Sequence, residues 1–200
     1  IITSYTPRGV EENVATKYTY DILGRKIKEE LPQEKKDGST SYQTVTSEYD
    51  TIGNLIAEEE QIDDDKVGRT EYTYDEHGNL VMVKCCMEND AAQYVQYVYD
   101  EQGNKVRQFT GMTSPLTLSV SETETISEGS DTFTYGRKNY VISIEGKKKS
   151  DTISETKYEY DGKNRLVSYT DPEGRTETYT YDINSNLIKT VDKNGNVLKN

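Results

Sequence analysis

Apolar and polar positions alternate along most of this chain with a period of two, and Tyr, Thr, Val and Ile supply most of the regular partners. That alternation puts successive side chains on opposite faces of a β-strand. No 3.6-residue period is visible. No apolar run approaches the roughly eighteen residues of a spanning helix, so no membrane span is expected. One group recurs between the strands: Tyr-Asp at Tyr20-Asp21, Tyr49-Asp50, Tyr74-Asp75, Tyr99-Asp100, Tyr160-Asp161 and Tyr181-Asp182, with a decayed copy at Tyr135-Gly136. Two positions before the second Tyr stands another aromatic, Tyr18, Tyr72, Tyr97, Phe133, Tyr158 or Tyr179, and the second copy alone has Ser47 there. Three positions after the Asp comes Gly24, Gly53, Gly78 or Gly103, replaced later by Asn139, Asn164 and Ser185. Six positions after it every copy carries Ile or Val: Ile27, Ile56, Val81, Val106, Ile142, Val167 and Ile188.

The unit predicts a hairpin. An Asp carboxylate can accept backbone N–H groups two residues on, and Gly takes the positive φ of a type I turn followed by a bulge. Asn substitutes for Gly in that conformation; Ser does so poorly, so a distorted turn is expected at Ser185. In this register the Asp lies opposite the residue after the Gly, and the nearer Tyr opposite Leu55, Leu80, Leu166 or Leu187. The Ile/Val position is then expected on the other face, opposite Thr19, Thr73, Thr134 or Thr180. Many cross-strand pairs, each contributing a few tenths to about 1 kcal/mol, would hold such a sheet rather than one buried centre.

Second reversals are expected at Lys36-Asp37-Gly38, Asp63 to Gly68, Asn89 to Ala92, Ser127 to Asp131, Gly146 to Asp151, Asp171-Pro172-Glu173-Gly174 and Asp192 to Gly195. The chain then reads as an all-β antiparallel meander of tandem β-hairpins with about fourteen strands. A sheet that wide, roughly 65 Å if flat, curls, so a curved or spiralling single-layer sheet is expected. Leu116, Leu118 and Val120 alternate in a longer interval at 110–135 and suggest a lengthened strand pair. Open first and last strands would invite edge-strand self-association.

Composition narrows the function. Of 200 residues 32% are hydrophobic and 30% charged, with 17 Tyr, 2 Phe and no Trp. Amphipathic rings suit a sheet wetted on both sides. A net charge of -12 opposes nucleic acid and anionic membrane as partners, and Lys147-Lys148-Lys149 reads as a solvated turn. Cys85 and Cys86 are adjacent, too close for an unstrained disulfide, and read as free thiols. The chain opens at Ile1 without Met or a signal-peptide pattern and reads as a piece of a longer polypeptide. The single His, His77, falls in an Asp-x-x-Gly turn and supports no catalytic triad. Asp63-Asp64-Asp65 and Asp192-x-Asn194-Gly195-Asn196 lack the Gly and Glu spacing of a calcium loop, and no phosphate-binding glycine loop is present. No catalytic residue, metal site or cofactor is expected, and the chain is not expected to be an enzyme. An Asp that recurs at every turn fits a structural role.

The motif resembles the RHS/YD-repeat family: Tyr-Thr-Tyr-Asp-Ile-Leu-Gly-Arg at 18–25, Tyr-Thr-Tyr-Asp-Glu-His-Gly-Asn-Leu at 72–80, and Asp-Pro-Glu-Gly-Arg at 171–175 leading into Tyr-Thr-Tyr-Asp at 179–182. The resemblance runs from about residue 16 to about 197 and implies a single repeat array over 1–200, part of a large secreted or cell-surface protein, expected to be bacterial. In that family the repeats wind into a hollow β-shell around a C-terminal toxin or form cell-surface adhesion barrels. The implied partners are the remainder of the same polypeptide, further repeats and a toxin domain. The resemblance makes Tyr18, Tyr20, Asp21, Gly24, Tyr49, Asp50, Gly53, Tyr72, Tyr74, Asp75, Gly78, Tyr97, Tyr99, Asp100, Gly103, Tyr158, Tyr160, Asp161, Tyr179, Tyr181 and Asp182 scaffold residues. The self-cleaving core motif of toxin-bearing members has no counterpart in these residues. The alternative expectation is an adhesion module whose exposed Tyr rows bind cell-surface carbohydrate or a protein.

Overall fold

A computed structural model describes residues 2–4, 15–35, 37–63, 66–86, 91–124, 138–145 and 153–199. They form strands and no helix: β1 (Ile2–Ser4), β2 (Thr16–Tyr20), β3 (Lys26–Glu34), β4 (Thr40–Tyr49), β5 (Leu55–Asp63), β6 (Lys66–Tyr74), β7 (Leu80–Cys86), β8 (Ala92–Tyr99), β9 (Lys105–Met112), β10 (Thr117–Glu124), β11 (Lys138–Glu145), β12 (Ser154–Tyr160), β13 (Leu166–Thr170), β14 (Thr176–Tyr181), β15 (Leu187–Val191) and β16 (Val197–Lys199). The fold is the all-β antiparallel meander that the alternation predicts. The chain divides into two compact units, one of Ile1–Gly78 with Val83–Ala92, the other of Asn79–Met82 with Gln93–Asn200.

In the first unit β1 to β6 follow chain order, each antiparallel to the next. The ladders sort side chains onto two faces. Tyr18, Glu29, Val45 and Glu60 oppose one another in turn on the first. Thr19, Lys28, Thr46, Glu59 and Arg69 do so on the second. The second face is therefore built from charge and Thr and not from the expected Ile and Val. On it the Arg69 guanidinium donates to Glu48 (2.9 Å), Glu59 (2.7 Å) and Glu71 (3.2 Å), and Lys84 donates to Glu71 at 2.7 Å. Ala57, in register between Glu48 and Glu71, is 2% exposed. Single exposed ion pairs contribute little, but this guanidinium serves carboxylates of three strands at once.

The Ile/Val position has a different place from the one the alternation predicts. Tyr20 opposes Lys26, yet Thr19 opposes Lys28, so Ile27 is skipped. The same shift skips Ile56 between Tyr49↔Leu55 and Glu48↔Ala57. It skips Val106, Val167 and Ile188 in the hairpins of Tyr99, Tyr160 and Tyr181. Each is the extra residue of a β-bulge, which breaks the ladder and steepens the local twist. The Tyr–Leu oppositions at Leu55, Leu166 and Leu187 form as predicted.

In the second unit β8 pairs with β9, β9 with β12, and β12 to β16 follow in order. The expected lengthened pair is present as β10–β11, a separate two-stranded sheet. The decayed repeat contributes to it: Asn139 lies in β11 opposite Thr123 and not in a turn, and Ile142 opposes Val120. Phe133, Thr134, Tyr135 and Gly136 lie outside the described residues, as do Lys147 to Lys149, the reversals expected at Ser127 to Asp131 and Gly146 to Asp151, and residues 64–65 and 89–90 of those expected at Asp63 to Gly68 and Asn89 to Ala92. The Asp63 to Gly68 reversal is tighter than expected, since Asp63 opposes Lys66 and Lys66, Val67 and Gly68 already lie in β6.

This unit also holds a buried centre that pairwise stabilisation did not anticipate. Val98, Val106, Phe109, Met112 and Leu116 form one cluster, with Tyr94, Leu118 and Ile153 packed against it. Phe109 and Met112 are both 0% exposed. Gln96 fastens the segment entering β10: its amide donates to the Leu116 carbonyl at 3.1 Å and its carbonyl accepts the Leu116 N–H at 2.6 Å. Truncating a fully buried Phe costs about 3–5 kcal/mol. Phe109→Ala is therefore expected to lower the stability of the intact chain by that amount in urea titration, whereas Ile188→Ala, at a bulge where the side chain is 45% exposed, should cost less than about 1 kcal/mol.

Candidate functional site

The recurrent chemistry sits at the turns. Asp21 donates its N–H to the Arg25 carbonyl at 2.9 Å, and Gly24 donates to the Asp21 carbonyl at 3.1 Å. The Asp21 carboxylate accepts the N–H groups of Leu23 and Arg25, both at 2.9 Å. The Asp50, Asp100, Asp161 and Asp182 turns repeat the backbone pattern, and the Asp75 turn shows its Gly78 and His77 bonds. Gly24 has φ 80°, a left-handed conformation that Asn164 (58°) and Ser185 (69°) also adopt. The expected distortion at Ser185 does not occur: its N–H bonds Asp182 at 3.1 Å like the others. Its hydroxyl accepts Arg165 at 3.1 Å, a contact glycine could not offer. Two second reversals, Asp171–Arg175 and Asp192–Asn196, use the same pattern. The tips carry Ile22, Leu23, Ile52, His77 and Ile183 in solvent, so the residues between Asp and Gly are free to vary.

The second Tyr of a repeat reaches back to the repeat before it in the sheet, which for Tyr160 is that of Tyr99 and not the decayed copy. Tyr49 donates its hydroxyl to the Lys26 carbonyl at 3.0 Å, Tyr74 to Leu55 at 2.9 Å, Tyr99 to Leu80 at 2.9 Å, Tyr160 to Lys105 at 3.2 Å and Tyr181 to Leu166 at 2.9 Å. In every case the acceptor is the residue directly before the Ile/Val position. At the observed bulges that is where the ladder is interrupted and a carbonyl is free for a side chain to claim.

Cations cover several rings. Arg25 lies 4.9 Å from the Tyr49 centroid, Arg165 4.7 Å from Tyr181, Lys193 4.6 Å from Tyr169, and Lys105 lies between Tyr97 (5.4 Å) and Tyr158 (4.7 Å). Tyr158 and Tyr169, directly opposed, have centroids 5.5 Å apart. Tyr72 bonds Glu58 at 2.8 Å; burial first, and then that carboxylate, push its phenol up to about 12. Tyr18 lies opposite Glu29 beneath Lys26, 5.8 Å away, and Tyr20 at the bulge is partly exposed. Tyr179 opposes Thr190, and its phenol is likewise pushed up to about 12 by burial and then by Glu177. The arginine and lysine partners were not singled out from the sequence, although the Gly-Arg and Gly-Asn forms of the motif carry the signal.

The turn carboxylates of Asp21, Asp50, Asp161, Asp182 and Asp192 are held below the usual Asp range. For Asp21 the Arg25 backbone N–H is the main cause, and for Asp182 and Asp192 the side-chain amides of Asn186 and Asn196. Asp171, 4% exposed, is raised by burial, but the Arg175 backbone and guanidinium and the Lys193 ammonium outweigh this and bring it down to about 2. Among the described residues no group of His, Cys, Asp and Glu side chains could hold a metal ion, and Cys85 and Cys86 are free thiols.

These features define a class of protein, a tandem β-hairpin array whose repeated residues join one hairpin to the next. Within it, residues 154–197 match the RHS Repeat family, in line with the resemblance read from the motif. No curated protein matches. Similar solved structures include the crystal structure of TcdB2-TccC3, at 14% identity over 94% of this chain and 10% of that chain, TM-score 0.45. Another is the Photorhabdus luminescens Tc holotoxin pore, at 17% identity over 94% and 10%, TM-score 0.39. A third is TcdB2-TccC3-Cdc42, at 14% identity over 98% and 12%, TM-score 0.40. This chain thus spans about a tenth of the length of those proteins.

Two outcomes follow. Tyr99→Phe or Tyr181→Phe removes only the hydroxyl and should cost about 1 kcal/mol each, measured as a shift of the urea midpoint. The depressed Asp171 carboxylate stabilises the folded chain fully above its ordinary value of 3.8, because below that the unfolded chain binds the proton first. Stability should therefore fall as pH drops from about 4 towards 2, and Asp171→Asn should flatten that slope in thermal melts across the pH series.

Proposed function

We propose that residues 1–200 form one RHS/YD-type repeat array whose function is structural: part of the β-shell or stalk of a large secreted or cell-surface bacterial protein that encloses or presents another domain, such as a toxin. The observation that carries this reading is that the motif residues are spent on neighbouring repeats and on their own turns. Five Tyr hydroxyls bond the backbone of the repeat before them in the sheet. The turn Asp side chains accept their own turn amides. The scaffold role thus extends to the whole set from Tyr18 and Asp21 to Tyr181 and Asp182. Use of the Tyr rows as a carbohydrate surface competes with this, since rings under Arg25, Lys105, Arg165 and Lys193 already have a partner on a face.

The test uses the full-length polypeptide from which these repeats come. Under limited proteolysis a domain enclosed by the repeats should survive intact until the repeats themselves are cut. Cleavage of that domain at the rate of a free control would overturn enclosure. A glycan array probed with the purified chain should show no specific binding; specific binding lost on Tyr74→Ala or Tyr99→Ala would favour the adhesion reading instead.

A further inference from the structure

We infer that the residue directly after the left-handed turn residue (Gly, Asn164 or Ser185) decides whether a Tyr-Asp turn is tied to the next one: arginine couples neighbouring turns, whereas asparagine mainly closes its own. This holds whether or not the array encloses another domain.

Arg25 makes three contacts in two repeats. Its Nε donates to Asp21 of its own turn at 2.6 Å, its Nη1 donates to the Asp50 carbonyl of the next turn at 3.0 Å, and its guanidinium lies over Tyr49. Arg165 repeats the set in the other unit, with Nε to Asp161 at 2.8 Å, Nη1 to the Asp182 carbonyl at 3.1 Å and the guanidinium over Tyr181. Two independent occurrences with one geometry mark a rule of the repeat. The planar fork explains it, since a guanidinium can present one edge to a carboxylate and another to a carbonyl while stacking on a ring.

Asparagine in the same place does not reach the carbonyl of the next turn's Asp. Asn54 and Asn186 each give their amide to their own Asp at 2.9 Å. Asn104 does the same and adds one neutral contact to Asn164 at 3.3 Å. Own-turn closure is thus common to both residue types, and at this position the link to the next turn through a charged donor belongs to arginine; in the Asp161 turn Lys163 adds a second such link, its Nζ donating to the Ile183 carbonyl at 3.1 Å. At the second reversals the link comes from the other side: Arg175 stays within its turn, and Lys193 reaches back to Asp171 at 3.2 Å.

Arg25→Asn in the intact chain separates the two roles, because asparagine can restore the bond to Asp21. Amide hydrogen exchange would be read residue by residue. The Gly53 and Asn54 amides of the next turn are expected to exchange about tenfold faster, consistent with loss of a hydrogen bond to a charged donor, while Gly24 in the mutated turn changes less. Arg25→Lys should loosen the next turn as well, because the ammonium keeps its charge but lacks the fork. Arg165→Asn should do the same to Ser185 and Asn186. The gain variant Asn54→Arg should slow exchange at Gly78, and it decides the matter even if a loss variant fails to fold. An unchanged next turn in Arg25→Asn, equal acceleration of both turns, or no slowing in Asn54→Arg would overturn the inference.

Discussion

The hydrogen bond from a tyrosine hydroxyl to the backbone carbonyl beside the preceding bulge is the contact on which the array depends. An extra strand residue twists the hairpin but leaves backbone groups without ladder partners, and an unpartnered carbonyl at a half-buried site costs free energy. The next repeat removes that cost with a donor on a rigid ring. At about 1 kcal/mol each, the Tyr bonds at Lys26, Leu55, Leu80, Lys105 and Leu166 together contribute about 5 kcal/mol, a sum comparable with the lower end of the net stability of a typical domain. A repeat without a following tyrosine therefore keeps its bulge but loses the bond that compensates it.

The same constraint explains why so little of the chain is apolar. A sheet joined through hydroxyls, guanidinium groups and turn carboxylates does not need a deep interior at every repeat. The Arg69 cluster on β4, β5 and β6 shows a face held by charge. The exception lies at the β10–β11 insertion, where the meander is interrupted and β9 pairs directly with β12. There a compact cluster around Phe109 and Met112 replaces the repeat's own stabilisation.

Most of this was legible in the sequence, and the failures have identifiable physical causes. Turn positions were legible because Asp and a left-handed residue three places on are local requirements; even Ser185 obeys them, its hydroxyl finding Arg165. Register beyond the bulge was not, because alternation assumes one residue opposite one, and Ile27, Ile56, Val106, Val167 and Ile188 are the residues that break that count. Their constancy marked the irregularity itself, not a β-branched face. The buried cluster had a signal that alternation hides: residues 108–121 carry no charged side chain in a chain that is 30% charged. The acceptors of the tyrosine hydroxyls were out of reach, since a carbonyl fifteen or more residues away is set by pairing and not by local pattern.

The carboxylates at the turns bear on function through their ionisation. A general acid or base works best when its pKa lies near the operating pH, and burial in an apolar pocket moves a carboxylate upward towards that range. Here the movement is the other way. Asp21, Asp50, Asp161, Asp182 and Asp192 are all held below their ordinary value, and Asp171 is brought down to about 2 despite being almost fully buried. Backbone N–H groups, amides and cations stabilise the charge where it stands. A carboxylate kept ionised in that way is suited to accepting fixed hydrogen bonds and poorly suited to passing a proton. The residue that recurs most visibly in the motif is therefore tuned for permanence of the turn, which is the property an array of hairpins requires of it.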